Sequence, residues 1–140
     1  MTDGLLSRFQ GTWHLVREIE DFRSGKALPF DGTARFDATG PQGMQLSESG
    51  WLTTLQGGRV HAERSYVWRS GENRIDVFFA DGRPFHSFDP RQSDPSALHD
   101  CAPDRYEVTY QFADWPVWQM IWRVRGPRKD YRSVSRFSRP

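Results

Sequence analysis

Two arginines occupy positions where an alternating pattern calls for apolar side chains. Along 13–19, Trp13, Leu15, Arg17 and Ile19 share one face, and along 59–69 Arg64 is in register with Val60, Ala62, Tyr66 and Trp68. A guanidinium is costly to bury unpaired, so each requires a carboxylate, a set of carbonyls or an anionic ligand. The planar fork of arginine suits a carboxylate or a phosphate. Asp104 and Asp130 are the internal partners expected if the interior is filled. If it is open, Tyr106, Val108, Tyr110 and Phe112 on one run and Trp118, Met120, Trp122 and Val124 on another line an aromatic cavity with few polar groups, the usual make-up of a small-molecule pocket. The ligand-binding candidates are therefore Arg17, Arg64, Tyr66, Trp68, His86, Tyr106, Tyr110, Trp118, Trp122 and Lys129.

A second group, His86, His99, Cys101 and Asp104, surrounds a proline-containing stretch. His86, His99 and Asp104 have the chemistry of general acids and bases, with Tyr66 or Tyr106 to position a substrate. Cys101 with a histidine base has the chemistry of a nucleophile. The same four side chains are metal-ligand types, but no Cys-x-x-Cys or His-x-x-x-His pair supports a metal site, and none is expected. The simpler reading is a loop pinned by histidine and aspartate hydrogen bonds. His14 and His61 alternate onto outward faces. Near the C-terminus Arg123, Arg125, Arg128, Lys129, Arg132, Arg136 and Arg139 face a single acid, Asp130; in strands they point outward and pair with neighbouring acids. Gly126-Pro127-Arg128-Lys129 reads as a tight turn guarding one end of the fold, not as a phosphate-binding P-loop. Trp51 and Trp115, near turn signals, are candidates for a protein-contact patch.

The elements that must position these residues read as strands. The segment 3–10 is a short helical plug, with Asp3 as its cap and Leu5, Leu6 and Phe9 on one side. After Gly11 the period is near two, with strands expected at 13–19, 33–37, 43–48, 51–55, 59–69, 74–79, 85–88, 106–112, 117–124 and 130–137. Turn signals separate them at Ser24-Gly25, Asp31-Gly32, Gly40-Pro41, Ser49-Gly50, Gly57-Gly58, Ser70-Gly71, Asp81-Gly82 and Gly126-Pro127. The stretch 89–103 is expected to be irregular and mobile. Nine or ten short antiparallel strands in one domain spanning residues 1–140 fit an all-β barrel, because closure removes exposed strand edges. Six Trp and ten Phe among 140 residues supply the core, and a net charge of +1 disfavours nucleic-acid binding. No membrane span, cofactor motif or export pattern is visible, and a single cysteine fits a cytoplasmic setting.

Gly11-Thr12-Trp13, behind a helical turn and opening the first strand, resembles the Gly-X-Trp signature of lipocalin and fatty-acid-binding (calycin) barrels. That resemblance implies a tryptophan across the closed barrel end with a late-strand arginine stacked on it, for which Arg128, Arg132 and Arg136 are candidates. Together with Asp81-Gly82-Arg83-Pro84-Phe85-His86, His99-Asp100-Cys101 and Gly126-Pro127-Arg128-Lys129-Asp130-Tyr131, it is similar to the bacterial domain of unknown function family 6314 over nearly the whole chain, a resemblance that implies no catalytic residue. Haem-binding nitrobindins continue Gly-X-Trp with glycines, whereas His14, Leu15, Val16 and Arg17 follow here. The expected function is binding of a small amphipathic or anionic molecule, with an enzyme on the same barrel as the alternative.

Overall fold

The computed structural model describes residues 4–140; the capping role expected of Asp3 lies outside them. One helical turn, α1 (Gly4–Ser7), precedes ten strands: β1 (Gly11–Asp21), β2 (Lys26–Gly40), β3 (Gly43–Thr53), β4 (Arg59–Gly71), β5 (Arg74–Phe79), β6 (Pro84–Phe88), β7 (Ser96–Cys101), β8 (Asp104–Gln111), β9 (Trp118–Arg125) and β10 (Asp130–Ser138). Each strand pairs antiparallel with its neighbour in an up-and-down meander, and β1 also pairs with β10. The order β6-β5-β4-β3-β2-β1-β10-β9-β8-β7 wraps into a nearly closed barrel. The gap lies between β6 and β7, which form no ladder and are bridged by side chains. Phe85 of β6 meets His99 of β7 at 5.3 Å, and the Phe88 ring stacks on Tyr110 of the next strand, β8, at 3.9 Å.

Alternation puts Trp13, Leu15 and Arg17 of β1 inside, with Trp118, Met120, Trp122 and Val124 of β9 facing them. These rings fill the barrel. Trp68, Trp118, Tyr110, Phe36 and Phe137 are fully buried, and the void bordered by Tyr66, His86, Tyr110 and Trp122 measures only about 10 Å³. The wide aromatic cavity expected from the alternating faces is thus occupied by its own lining, since rings of this size meet across a barrel of this girth.

Three expectations about the elements need correction. The runs 43–48 and 51–55 are one strand, β3, and Asp31-Gly32 and Ser49-Gly50 are not turns. Gly32 and Gly50 lie opposite each other in the β2–β3 ladder. A Cβ on Gly32 would sit 2.2 Å from the Ser49 carbonyl oxygen, and one on Gly50 would sit 2.4 Å from that of Asp31, so these glycines allow a close backbone approach. The stretch 89–103 contains β7, a polar edge strand whose pairing with β8 overrides its weak intrinsic preference. The part before β7 is also tied down, since Tyr110 and Phe112 donate backbone hydrogen bonds to Pro95 and Ser93 and the Arg8 guanidinium donates to the Pro90 carbonyl.

The third correction concerns the closed end. Trp13 lies across it, its indole N–H donating to the Phe9 carbonyl at 2.8 Å, with Trp115 and Trp118 edge-on. The stacked cation is Arg139, 3.6 Å above the Trp13 ring, rather than Arg128, Arg132 or Arg136. Register decides this: β10 sets Ser138 opposite His14 and Arg136 opposite Val16, while Arg128 lies in the turn at the other end. Only a residue past Ser138 comes level with Trp13. A meander closed here by α1 leaves the β1–β2, β3–β4, β5–β6, β7–β8 and β9–β10 turns together at the opposite end, the open one.

Candidate ligand-binding site

At the open end β1, β3 and β4 bring together two cations and one carboxylate. Glu48 is the direct cross-strand partner of Arg64, and Arg17 is that of Ser135. Arg17 donates through Nη2 to both Glu48 oxygens at 2.9 and 3.0 Å and through Nε to Ser135 Oγ at 2.6 Å. Arg64 donates through Nε to Glu48 Oε1 at 2.9 Å. Arg17 and Glu48 are buried, at 5% and 3% exposure, whereas the Arg64 side chain is 38% exposed. Burial is the largest single influence on the Glu48 carboxyl and opposes its charge, but Arg17 and Arg64 together hold it below the ordinary carboxylate value. Two guanidiniums against one carboxylate leave the triad one positive charge in excess.

Glu48, not Asp104 or Asp130, is therefore the internal partner. Asp104 is held by Lys129 at 3.1 Å and Asp130 by Arg123 at 2.7 Å. The signal for Glu48 was present in the sequence, because it falls on the inward parity of Met44 and Leu46. The same alternation that singled out the arginines turns Glu48 inward, and strand register brings the three side chains together.

The surplus charge faces a pocket of about 190 Å³. Ile19, Phe30, Leu52 and Ala62 form its apolar wall, and Arg17, Glu48, Glu63 and Arg64 its charged lining. Arg64 spends only Nε on Glu48; among the described residues Nη1 and Nη2 have no hydrogen-bond partner. Its guanidinium carbon lies over the Trp122 ring, 4.8 Å from the centroid, and over the Tyr66 ring at 5.7 Å. Burial pushes the Tyr66 phenol up to about 12 and raises Tyr131 as well, so both remain proton donors at neutral pH. Across the open end, Lys129 Nζ bonds Asp104 and reaches Tyr106 Oη at 3.5 Å. The hydrogen bond to Asp104 raises the Lys129 ammonium above its ordinary value.

Of the residues singled out from the sequence, Arg17, Arg64, Tyr66 and Trp122 come together here, with Tyr106 and Lys129 across the opening. Trp68, Tyr110 and Trp118 lie deeper, packed against other rings; Trp68 meets Phe36 edge-on at 4.9 Å and Trp118 is parallel to Phe137 at 3.9 Å. His86 is buried and bonded through Nε2 to Tyr110 Oη at 2.7 Å. Burial, with His99 as a lesser influence, lowers its imidazole to about 3 and keeps it neutral. His86 and His99 both pack against Phe85, Asp104 is engaged instead by Lys129, and Cys101 is exposed, so the structure does not join the three acid/base candidates to one another by hydrogen bonds. Among the described residues no three His, Cys, Asp or Glu side chains are grouped as a metal site. Trp115 covers the closed end against Phe9 at 5.2 Å, so it is a core contact rather than part of a contact patch, while Trp51 is exposed on the outer face of β3 beside His61 and Arg59. No helix among the described residues is long and apolar enough to cross a membrane.

Residues 9–139 match a family of unknown function, DUF6314. The chain belongs to this family. The resemblance noted in the motifs at 11–13, 81–86, 99–101 and 126–131 thus extends over almost the whole chain. No curated protein matches its sequence. Among solved structures, this DUF6314 member is similar to the S-type phycobiliprotein lyase CPES from Guillardia theta, with a TM-score of 0.67 at 10% identity over 96% of this chain and 90% of the other. It is also similar to a redesigned β-barrel, mFAP1, bound to DFHBI, with a TM-score of 0.52 at 10% identity over 98% and 100% of the two chains. At such identities the likeness is one of fold.

Proposed function

We propose that this chain is a small-molecule binding protein that takes an amphipathic anion, a carboxylate or phosphate, at the open barrel end. The observation that carries the reading is Arg64: a stacked, partly exposed guanidinium with both terminal amino groups free, in the lining of an apolar pocket. Its fork would take the anionic head bidentately, while Ile19, Phe30, Leu52 and Ala62 would cover the apolar portion. Arg17 would act through Glu48, holding that carboxylate so that it fixes the Arg64 guanidinium. Lys129 and Tyr106 would meet a longer ligand across the opening. That the similar barrel mFAP1 holds a small molecule supports the reading by analogy of fold alone. A cytoplasmic setting fits the lone, exposed Cys101.

Trp122 under Arg64 supplies the test. Octanoate and octyl phosphate should change tryptophan fluorescence saturably, octanol should not, and Arg64→Met should remove the response while leaving the fold intact. Equal binding of octanol and octanoate, or an unaltered response in Arg64→Met, would overturn the proposal.

A further inference from the structure

The β6–β7 gap holds a second, chemically different place for a ligand. In the β5–β6 ladder Val77 faces His86 and Phe78 faces Pro84, so Phe85 is the extra residue of a bulge and has no cross-strand partner. The bulge breaks alternation and turns both Phe85 and His86 inward, the kind of re-aiming that bulges produce beside binding sites. The Phe85 ring stacks on Phe79 at 4.5 Å and meets Trp122, His99 and Tyr106 edge-on at 5.3, 5.3 and 5.7 Å. That is a slot shaped for one planar ring. It is not satisfied chemically: His86 Nδ1 and His99 Nε2 are buried with no hydrogen-bond partner, and both imidazoles pack against Phe85. His86 is 8% exposed and borders the void of about 10 Å³. Buried polar atoms in native proteins are nearly always paired, so two orphans flanking one replaceable ring point to an absent partner. No ladder joins β6 to β7, so parting the strands there breaks side-chain contacts alone.

We propose that this gap is a binding slot for a small neutral aromatic molecule carrying a hydroxyl, whose ring takes the place of Phe85 and whose hydroxyl hydrogen-bonds His86 Nδ1. The ligand keeps the ring contacts that Phe85 makes and adds the hydrogen bond that Phe85 cannot. Trp122 borders both places, but the recognising groups differ, His86 in this slot and Arg64 in the anion pocket.

Phenol is the probe and toluene, of similar shape without the hydroxyl, is the control. With imidazole nitrogens labelled with ¹⁵N, phenol should shift the His86 Nδ1 resonance saturably in the wild-type protein, and toluene should not. Phe85→Ala, which vacates the slot, should bind phenol more tightly than wild type does, and about tenfold more tightly than it binds toluene, the difference one buried hydrogen bond makes. Equal affinity of Phe85→Ala for phenol and toluene, or a His86 resonance unmoved by phenol, would overturn the proposal. Should Phe85→Ala fail to fold, Phe85→Leu and the wild-type titration decide the question alone: a saturable shift supports the slot, and none up to the solubility of phenol refutes it.

Discussion

Glu48→Gln is the sharpest probe of the open-end charge network. Glutamine keeps the side-chain length but removes the one carboxylate that Arg17 and Arg64 share. Arg64 is 38% exposed and can turn toward water, so its loss of partner costs little. Arg17 is 5% exposed, with Ser135 Oγ as its other side-chain hydrogen-bond partner, and has no such escape. Leaving one member of a buried pair uncompensated costs about 3–5 kcal/mol. For a domain of this size that corresponds to a fall in Tm of roughly 10 °C or more. Urea unfolding at pH 7 measures the loss, and the double variant Arg17→Met/Glu48→Gln completes the cycle. Since the penalty lies in the stranded guanidinium, the double variant should be more stable than Glu48→Gln alone. A cost below about 1 kcal/mol for Glu48→Gln, or a double variant less stable than both singles, would refute the reasoning. Wild-type stability should also fall as acid protonates Glu48: its folded value lies below the ordinary 4.5, so its contribution is complete above 4.5 and is lost as the pH falls through the folded value.

Other outcomes follow from separate parts of the fold. His86 titrates near 3 when folded against an ordinary 6.5, so between these values only the unfolded chain takes up the proton and stability falls with falling pH. The slope should approach about 1.4 kcal/mol per pH unit, and His86→Phe should remove that slope in unfolding curves between pH 4.5 and 6.5. Gly50→Ala should destabilise by about 2–3 kcal/mol through the clash with the Asp31 carbonyl. Gly40→Ala, where an added Cβ meets nothing within 4 Å, should be close to neutral in the same assay. Arg139→Ala loses the cation over Trp13 and hydrogen bonds to the Thr12 and Arg8 carbonyls. It should cost about 1 kcal/mol by urea unfolding and shift the Trp13 indole N–H resonance.

Much of the architecture is legible in residue order, because a strand's side chains alternate whatever the strand pairs with. That period put Trp13, Leu15, Arg17, Tyr66, Trp118 and Trp122 inside before any pairing was known, and the glycine and proline signals at 24–25, 40–41, 70–71 and 126–127 marked real strand ends. It failed where local chemistry is ambiguous. Gly32 and Gly50 read as turns because a glycine that lets two backbones touch looks, in one dimension, like a glycine that reverses the chain. β7 was missed because its polar residues make strand only through β8. Alternation likewise determined that Arg17 is buried and needed an anion, but not which one. Glu48 is 31 positions away along the chain, and only the β1–β2–β3 register brings its carboxylate to 2.9 Å. The same holds for Arg139 over Trp13 and for the bulge that turns Phe85 and His86 inward. Which side of a strand a residue occupies is a local property of the backbone. Which residue it meets there depends on register, and register is set by the turns and by how the paired strands bury their apolar faces together.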